Sequence, residues 1–331
     1  MTTRWHSSLR SLIRPRRVGI LHRRLFHATS SPQSVLHTEW IGRPSLDSQP
    51  LTGTVLVFLH GLLGNSRNVK TLAQKTCALY TSPGLLVDLR GHGRSKECHE
   101  YGSGTETDRV PVTLDDCVGD IQETLQHVGV SQSTNGKLTS TTNITFVGHS
   151  LGGRVAMQYV HARLEPRPSH VWLLDTVPGL TNTKVESVLR IAQLVREEKS
   201  AWTRPNLQRA LTESHGLDTA TAQWLASSYD PSTHDFGFDL TVAHNLVQSM
   251  DEQDFLGFLQ EAVHEHWCKI DLVRGGQNAD WHAYPHTISL LQAMAKEHAG
   301  TFGYHTLPKA GHWVHIDDLP GLLNAMRSRL L

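Results

Sequence analysis

The chain is short of the features that would place it in several large functional classes. It has four cysteines, Cys77, Cys98, Cys117 and Cys268, with no CxxC pair and no zinc-ligand spacing. That pattern argues against a disulfide framework and a thiolate metal site, and reads as ordinary buried or loop thiols. No apolar run reaches the roughly 18 residues expected of a membrane span, so the mature protein is expected to be soluble, with no span. Charge of either sign is not in excess, since Lys+Arg and Asp+Glu stand at 31 each. A nucleic-acid partner is therefore not expected. Acid is missing from residues 1–38, which carry Arg4, Arg10, Arg14, Arg16, Arg17, Arg23 and Arg24 among Ser, Thr, His and short apolar stretches. That composition is that of an organelle transit peptide. Residues 1–31 are read as the leader, with Arg23–Ser31 as its processing region and the mitochondrion, its matrix in particular, favoured over a plastid.

What is present is a series of short, unbroken apolar runs. Val55–Leu59, Gly84–Asp88, Ile144–Val147, Val171–Leu174 and Ile270–Val273 are apolar on both faces, as strands of a helix-covered parallel sheet are. Val35–Ile41 is expected to add an antiparallel edge strand, and Thr301–Leu307 a last strand. Helical stretches alternate with them, one opened by a capping box at Thr113 and running to about Val128. The pattern predicts an α/β protein with a doubly wound, mostly parallel sheet. From 177 to 266 the alternation stops, and five amphipathic stretches follow one another. They predict a helical cap inserted after the sixth strand, over the carboxyl edge of the sheet. The expected organisation is leader 1–31, core 32–176, cap 177–266 and core again 267–331. The polar stretches Lys96–Arg109 and Ser131–Thr142 read as flexible loops.

The most informative residues are Gly148-His149-Ser150-Leu151-Gly152. A Gly-x-Ser-x-Gly between a strand and a helix is a nucleophile elbow, which lifts a serine above the sheet on a strained turn. Ser150 needs a base. Among 22 histidines, His312 stands out, because Gly311-His312-Trp313 follows the predicted last strand and faces the elbow in this topology. His315 is its neighbouring rival, and His149 reads as a packing residue beside the serine. The base needs an acid to hold its tautomer. Asp175 ends the strand after the elbow helix. Asp280 lies in the loop after the next core strand, where many enzymes of this plan place the acid three residues past a glycine, but that spacing from Gly275 falls on the uncharged Asn278. Asp175 is therefore preferred and Asp280 kept as the alternative. Backbone N–H groups of Leu62, in His60-Gly61-Leu62-Leu63-Gly64, and of Leu151 are the expected oxyanion donors. Asp88, in Asp88–Ser95, reads as a structural strand-end carboxylate. His264-Glu265-His266 lacks a recognisable third ligand and reads as a solvated helix end. No metal and no cofactor is called for.

The motifs HGLLG at 60–64, DLRGHGRS at 88–95, GHSLGG at 148–153 and GHWVH at 311–315 resemble those of the α/β-hydrolase fold superfamily. With LLDTVPG at 173–179 and RGGQNADW at 274–281, the chain looks like the abhydrolase domain-containing protein 11 group, with its bacterial esterase and mitochondrial ethanol acetyltransferase relatives. The resemblance runs from about Val35 to the C-terminus. It implies Ser150 as nucleophile, Asp175 as acid and His312 as base. The activity expected is a serine hydrolase acting on small-molecule carboxylic esters or thioesters. Transfer of the acyl group to an alcohol, or a catalytically silent binding role, are the alternatives. The cap, where specificity is set, is the part that the resemblance covers least.

Overall fold

A computed structural model describes residues 35–43, 53–96, 111–130, 132–134, 137–139, 142–179, 183–198 and 200–330. The chain divides into two units, 1–32 and 33–331, and all described residues belong to the second. The expected leader and Cys98 lie outside the described residues, as does nearly all of the 96–109 stretch.

In chain order the first half comprises β1 (Thr38–Ile41), β2 (Gly53–Leu59), α1 (Lys70–Tyr80), β3 (Gly84–Val87), α2 (Leu114–His127), β4 (Gln132–Thr134), β5 (Lys137–Thr139), β6 (Thr142–His149), α3 (Leu151–His161) and β7 (Pro168–Leu174). Then come α4 (Thr183–Glu197), α5 (Arg204–Glu213), α6 (Thr219–Ser227), β8 (Tyr229–Asp230), β9 (Asp235–Phe236), α7 (Leu240–Glu252) and α8 (Phe255–His264). The chain finishes with β10 (Lys269–Gly275), α9 (Pro285–Glu297), β11 (Phe302–Leu307), α10 (Val314–Asp317) and α11 (Leu319–Ser328).

Seven strands form one sheet in the order β1-β3-β2-β6-β7-β10-β11, parallel except for β1, which runs against β3. Both faces are buried, as the unbroken apolar runs require. Leu56, Phe58, Trp172 and Val273 face α1, α10 and α11. Val55, Val57, Phe146 and Val171 face α2, α3 and the helices that follow β7. The α2 start is the capping box read from the sequence, with the Thr113 side chain accepting from the Asp116 N–H and the Asp116 side chain accepting from the Thr113 N–H.

Two readings need correction. The block α4–α8 follows the fifth strand of this sheet in chain order, not the sixth, because among the described residues a single strand precedes β2. The 131–142 stretch is not all loop, since β4 and β5 pair as a short antiparallel hairpin. A second hairpin, β8–β9, interrupts the helical block. Each of these strands is only two or three residues long, too short for period-2 alternation to show. Cys77, Cys117 and Cys268 are buried thiols, and no described helix is long and apolar enough to cross a membrane.

The topology selects the site. From β2 the chain moves outward to β3, then crosses through α2 to β6 on the other side of β2. Loops leaving β2 and β6 therefore part at their carboxyl ends, and such a switch point opens a crevice for ligands. A buried ion pair ties the segment after β3 to α2. Arg90, just after β3, donates from Nε and Nη2 to Asp120 of α2 at 2.7 and 2.6 Å, and the two side chains are 13% and 1% exposed. Replacing Asp120 with Ala would leave the guanidinium buried and unpaired. Urea denaturation of Asp120→Ala is expected to show a loss of about 3–5 kcal/mol. A change below about 1 kcal/mol would mean that the pair carries none of this burden.

Candidate active site

Ser150 sits between β6 and α3 with φ 51° and ψ −113°. A β-carbon makes that left-handed region costly, at roughly 1–3 kcal/mol. The turn holds because strand and helix are pressed together at glycine. A β-carbon on Gly148 would lie 2.5 Å from the Gly152 carbonyl carbon, and one on Gly152 would lie 2.3 Å from the Leu59 carbonyl oxygen. The Ser150 N–H donates to the Leu174 carbonyl at 3.0 Å, and its carbonyl accepts from Gly153 and Arg154 at 2.9 and 3.1 Å. Leu151 opens α3, so its N–H has no acceptor within the helix.

Asp175 closes β7 in a left-handed conformation, φ 46°, and is fully buried. Its carboxylate accepts four hydrogen bonds. Oδ1 takes the Gly275 N–H at 2.7 Å and the Trp281 Nε1–H at 2.8 Å. Oδ2 takes Asn278 Nδ2 at 2.6 Å and His312 Nδ1 at 2.8 Å. The end of β10 and the turn after it thus supply three donors to a carboxylate held one strand away. With its Nδ1 proton committed to Asp175, neutral His312 presents Nε2 as a proton acceptor. Burial disfavours the imidazolium, but the hydrogen bond and charge of Asp175 outweigh it and raise the His312 pKa above the ordinary value. Asp280 acts on the same ring through its charge alone, as a smaller contribution.

The other histidines have different tasks. His149 Nε2 donates to the His312 carbonyl at 2.9 Å, which ties the His312 loop to the elbow. Its ring lies 4.8 Å from that of His312 and 4.7 Å from that of His315. Burial and the neighbouring histidines hold His149 well below the ordinary value and push His315 down to about 4, so both are uncharged. His60 and His92 form a matched pair beneath the Leu62 loop. His60 donates to the Gly61 carbonyl and accepts from the Leu89 N–H, and His92 donates to the Arg90 carbonyl and accepts from the Leu63 N–H. Burial lowers both, His92 to about 3. Asp88 accepts from the Ser66 and Arg94 N–H groups at 2.6 and 2.9 Å, tying two loops together as its strand-end position suggested. His298 approaches His264 and His266, with ring centroids 6.5 and 6.1 Å away. No cluster with the makings of a metal site occurs among the described residues.

Ser150, His312, His149 and His315 meet in a cavity of about 620 Å³. Its lining includes Ser150, His312, Leu62 and Asp280 from the core and Val185, Val188, Leu217 and Trp224 from the helical block. Trp224 packs against Trp313, 5.9 Å between ring centroids. Sequence reasoning named Ser150, Asp175, His312, Leu62 and Leu151 but missed the braces on Asp175. The signal was there: Asn278 occupies the common acid position, and Trp281 follows it by three.

The alpha/beta hydrolase family profile matches residues 56–324. Among curated proteins, the sn-1-specific diacylglycerol lipase ABHD11 of Danio rerio is 24% identical over 303 residues, covering 87% of this chain and 80% of the relative. The Xenopus laevis protein of the same name is 25% identical over 283 residues, covering 83% and 78%. Among solved structures, a marine microorganism esterase aligns with TM-score 0.60 at 18% identity over 89% of this chain and 99% of the other, a likeness of fold.

Asn278→Ala deletes one of the four donors to a fully buried carboxylate. A stability loss of about 1–3 kcal/mol is expected in chemical denaturation. Wild-type stability in that variant would show that Asp175 does not need the brace.

Proposed function

The chain belongs to the alpha/beta hydrolase family, and on that premise we propose that it is a serine hydrolase cleaving carboxylic esters or thioesters of small molecules. The observation that carries this reading is the 2.8 Å hydrogen bond from His312 to a fully buried Asp175, with Ser150 and His312 lining one cavity. His312 Nε2 takes the Ser150 hydroxyl proton as Oγ attacks the acyl carbonyl. The N–H groups of Leu62 and Leu151 meet the developing oxyanion. The imidazolium then protonates the departing alcohol or thiol, leaving the acyl group on Ser150. Water, deprotonated by His312, releases the acid and restores the serine. Asp175 stays ionised throughout, holding the ring and stabilising its charged form.

The same reading extends to place. The arginine-rich, acid-free residues 1–31 support mitochondrial import. Their deletion from a fluorescent fusion is expected to leave the protein in the cytosol, and unchanged targeting would contradict it.

Two further outcomes test the chemistry. Ser150→Ala should lower kcat for short-chain p-nitrophenyl esters by about 10⁶, as expected when triad members act as a unit, and should abolish fluorophosphonate labelling. A small loss would remove Ser150 from the nucleophile's role. The base works in its neutral form, so kcat/KM should climb as pH rises through the His312 pKa. With that pKa raised, the acid limb should lie above 6.5, and a rate flat from mildly acidic to neutral pH would contradict the assignment.

A further inference from the structure

Arg154 stands one helical turn after Ser150 on α3 and is buried. A guanidinium taken out of water is costly unless its donors find acceptors. Here the acceptors are main-chain carbonyls of the helical block. Nη1 donates to Met250 at 3.2 Å, and Nη2 donates to Val177 at 2.8 Å and to Gly179. Val177 and Gly179 belong to the segment that leads from β7 towards α4. Met250 lies in the last turn of α7, where carbonyls lack donors within the helix and a cation suits the dipole. The guanidinium carbon is also 4.9 Å from the centroid of the Phe255 ring, at the start of α8. Burial pushes Arg154 down to about 10, which leaves it charged at neutral pH. Gln253, just past α7, returns a bond from Nε2 to the Arg154 carbonyl at 3.2 Å. The Tyr284 ring packs so closely on Gly179 that a β-carbon there would collide with it.

One side chain thus joins the elbow helix to the entry of α4 and the end of α7, and α4 packs on α7. Arg154 is not among the described residues that line the cavity, whereas Val185 and Val188 of α4 are. We propose that Arg154 is a positioning residue: through the carbonyls of Val177, Gly179 and Met250 it fixes the Val185–Val188 wall relative to Ser150, and so sets the grip of the site on an apolar chain of the substrate. The proposal rests on the hydrolase reading above and names what holds its substrate wall. The side chain makes its hydrogen bonds away from Ser150, Asp175 and His312. Its loss should therefore weaken binding and spare the chemical step.

Ethyl acetate, ethyl hexanoate and hexyl acetate test this, since they differ only in apolar length, on the acyl or on the alcohol side. Turnover by the full chain is followed by pH-stat, and thermal melts check the fold of each variant. The longer esters are also titrated calorimetrically into Ser150→Ala protein, alone and combined with each Arg154 substitution, which needs no turnover. Wild type is expected to show a lower KM for at least one longer ester than for ethyl acetate. Arg154→Met should erode that advantage about tenfold, the worth of roughly two buried methylenes, with kcat on ethyl acetate within about threefold of wild type. Arg154→Lys, which keeps the charge on a compact ammonium, should erode it about fourfold, roughly one methylene, and decides the matter if the methionine variant does not fold. The calorimetric affinities should fall in the same order. An advantage or affinity unchanged in the variants that fold, a loss shared equally by short and long esters, no advantage in a wild type that turns the esters over, or no binding of either longer ester would overturn the proposal. Binding that weakens on Arg154 substitution, without turnover by wild type, would instead defeat the hydrolase reading and leave the positioning role standing.

Discussion

A fully buried carboxylate is costly unless hydrogen bonds replace its lost water, and at Asp175 that requirement ties three strands of the fold together. The Asp175 N–H pairs with Val273 of β10. Its oxygens draw in Gly275 from the end of β10, Asn278 and Trp281 from the following turn, and His312 from the loop after β11. Because β7, β10 and β11 are sheet neighbours in that order, all four donors come from the same carboxyl edge. The meeting of Asp175, its donors and His312 is thus a consequence of strand order. The Asp175 charge in turn raises the His312 pKa against the effect of burial.

Histidine shows how environment decides role. His60, His92, His149 and His315 are buried without a carboxylate in hydrogen-bond contact, and burial lowers each of them. They remain neutral. His60 and His92 each use one nitrogen as donor and one as acceptor to fix the backbone around Leu62. His312 differs by its partner and by the 32% of its side chain that stays exposed to the cavity. The strained turn at Ser150 is held in the same way, by glycine contacts and backbone hydrogen bonds from neighbouring elements rather than by its own preference.

The parallel sheet was legible because strands buried on both faces leave runs such as Val55–Leu59 that no surface helix would carry. The elbow was legible because steric contact at Gly148 and Gly152 demands glycine. Asp175 emerged as the preferred acid from its place at a strand end and from the neutral residue at 278. Its braces were missed because Asn278 and Trp281 lie 103 and 106 residues from Asp175, so the one signal, an uncharged residue at the common acid position, did not say which carboxylate it would serve. The short hairpins were missed because two or three residues hold no period. The cavity wall built by Val185, Val188, Leu217 and Trp224 depends on how helices pack, which periodicity does not report.

On the proposed hydrolase reading, Ser150, His312 and Asp175 act as one unit around an oxyanion held by backbone N–H groups. The most direct measurement is a crystal structure of the protein after reaction with a fluorophosphonate. The predicted result is a phosphonyl group on Ser150 Oγ, with its oxygen about 2.7–3.1 Å from the nitrogens of Leu62 and Leu151 and His312 still bonded to Asp175. An adduct on another residue, or a His312 ring turned to Asp280, would contradict it.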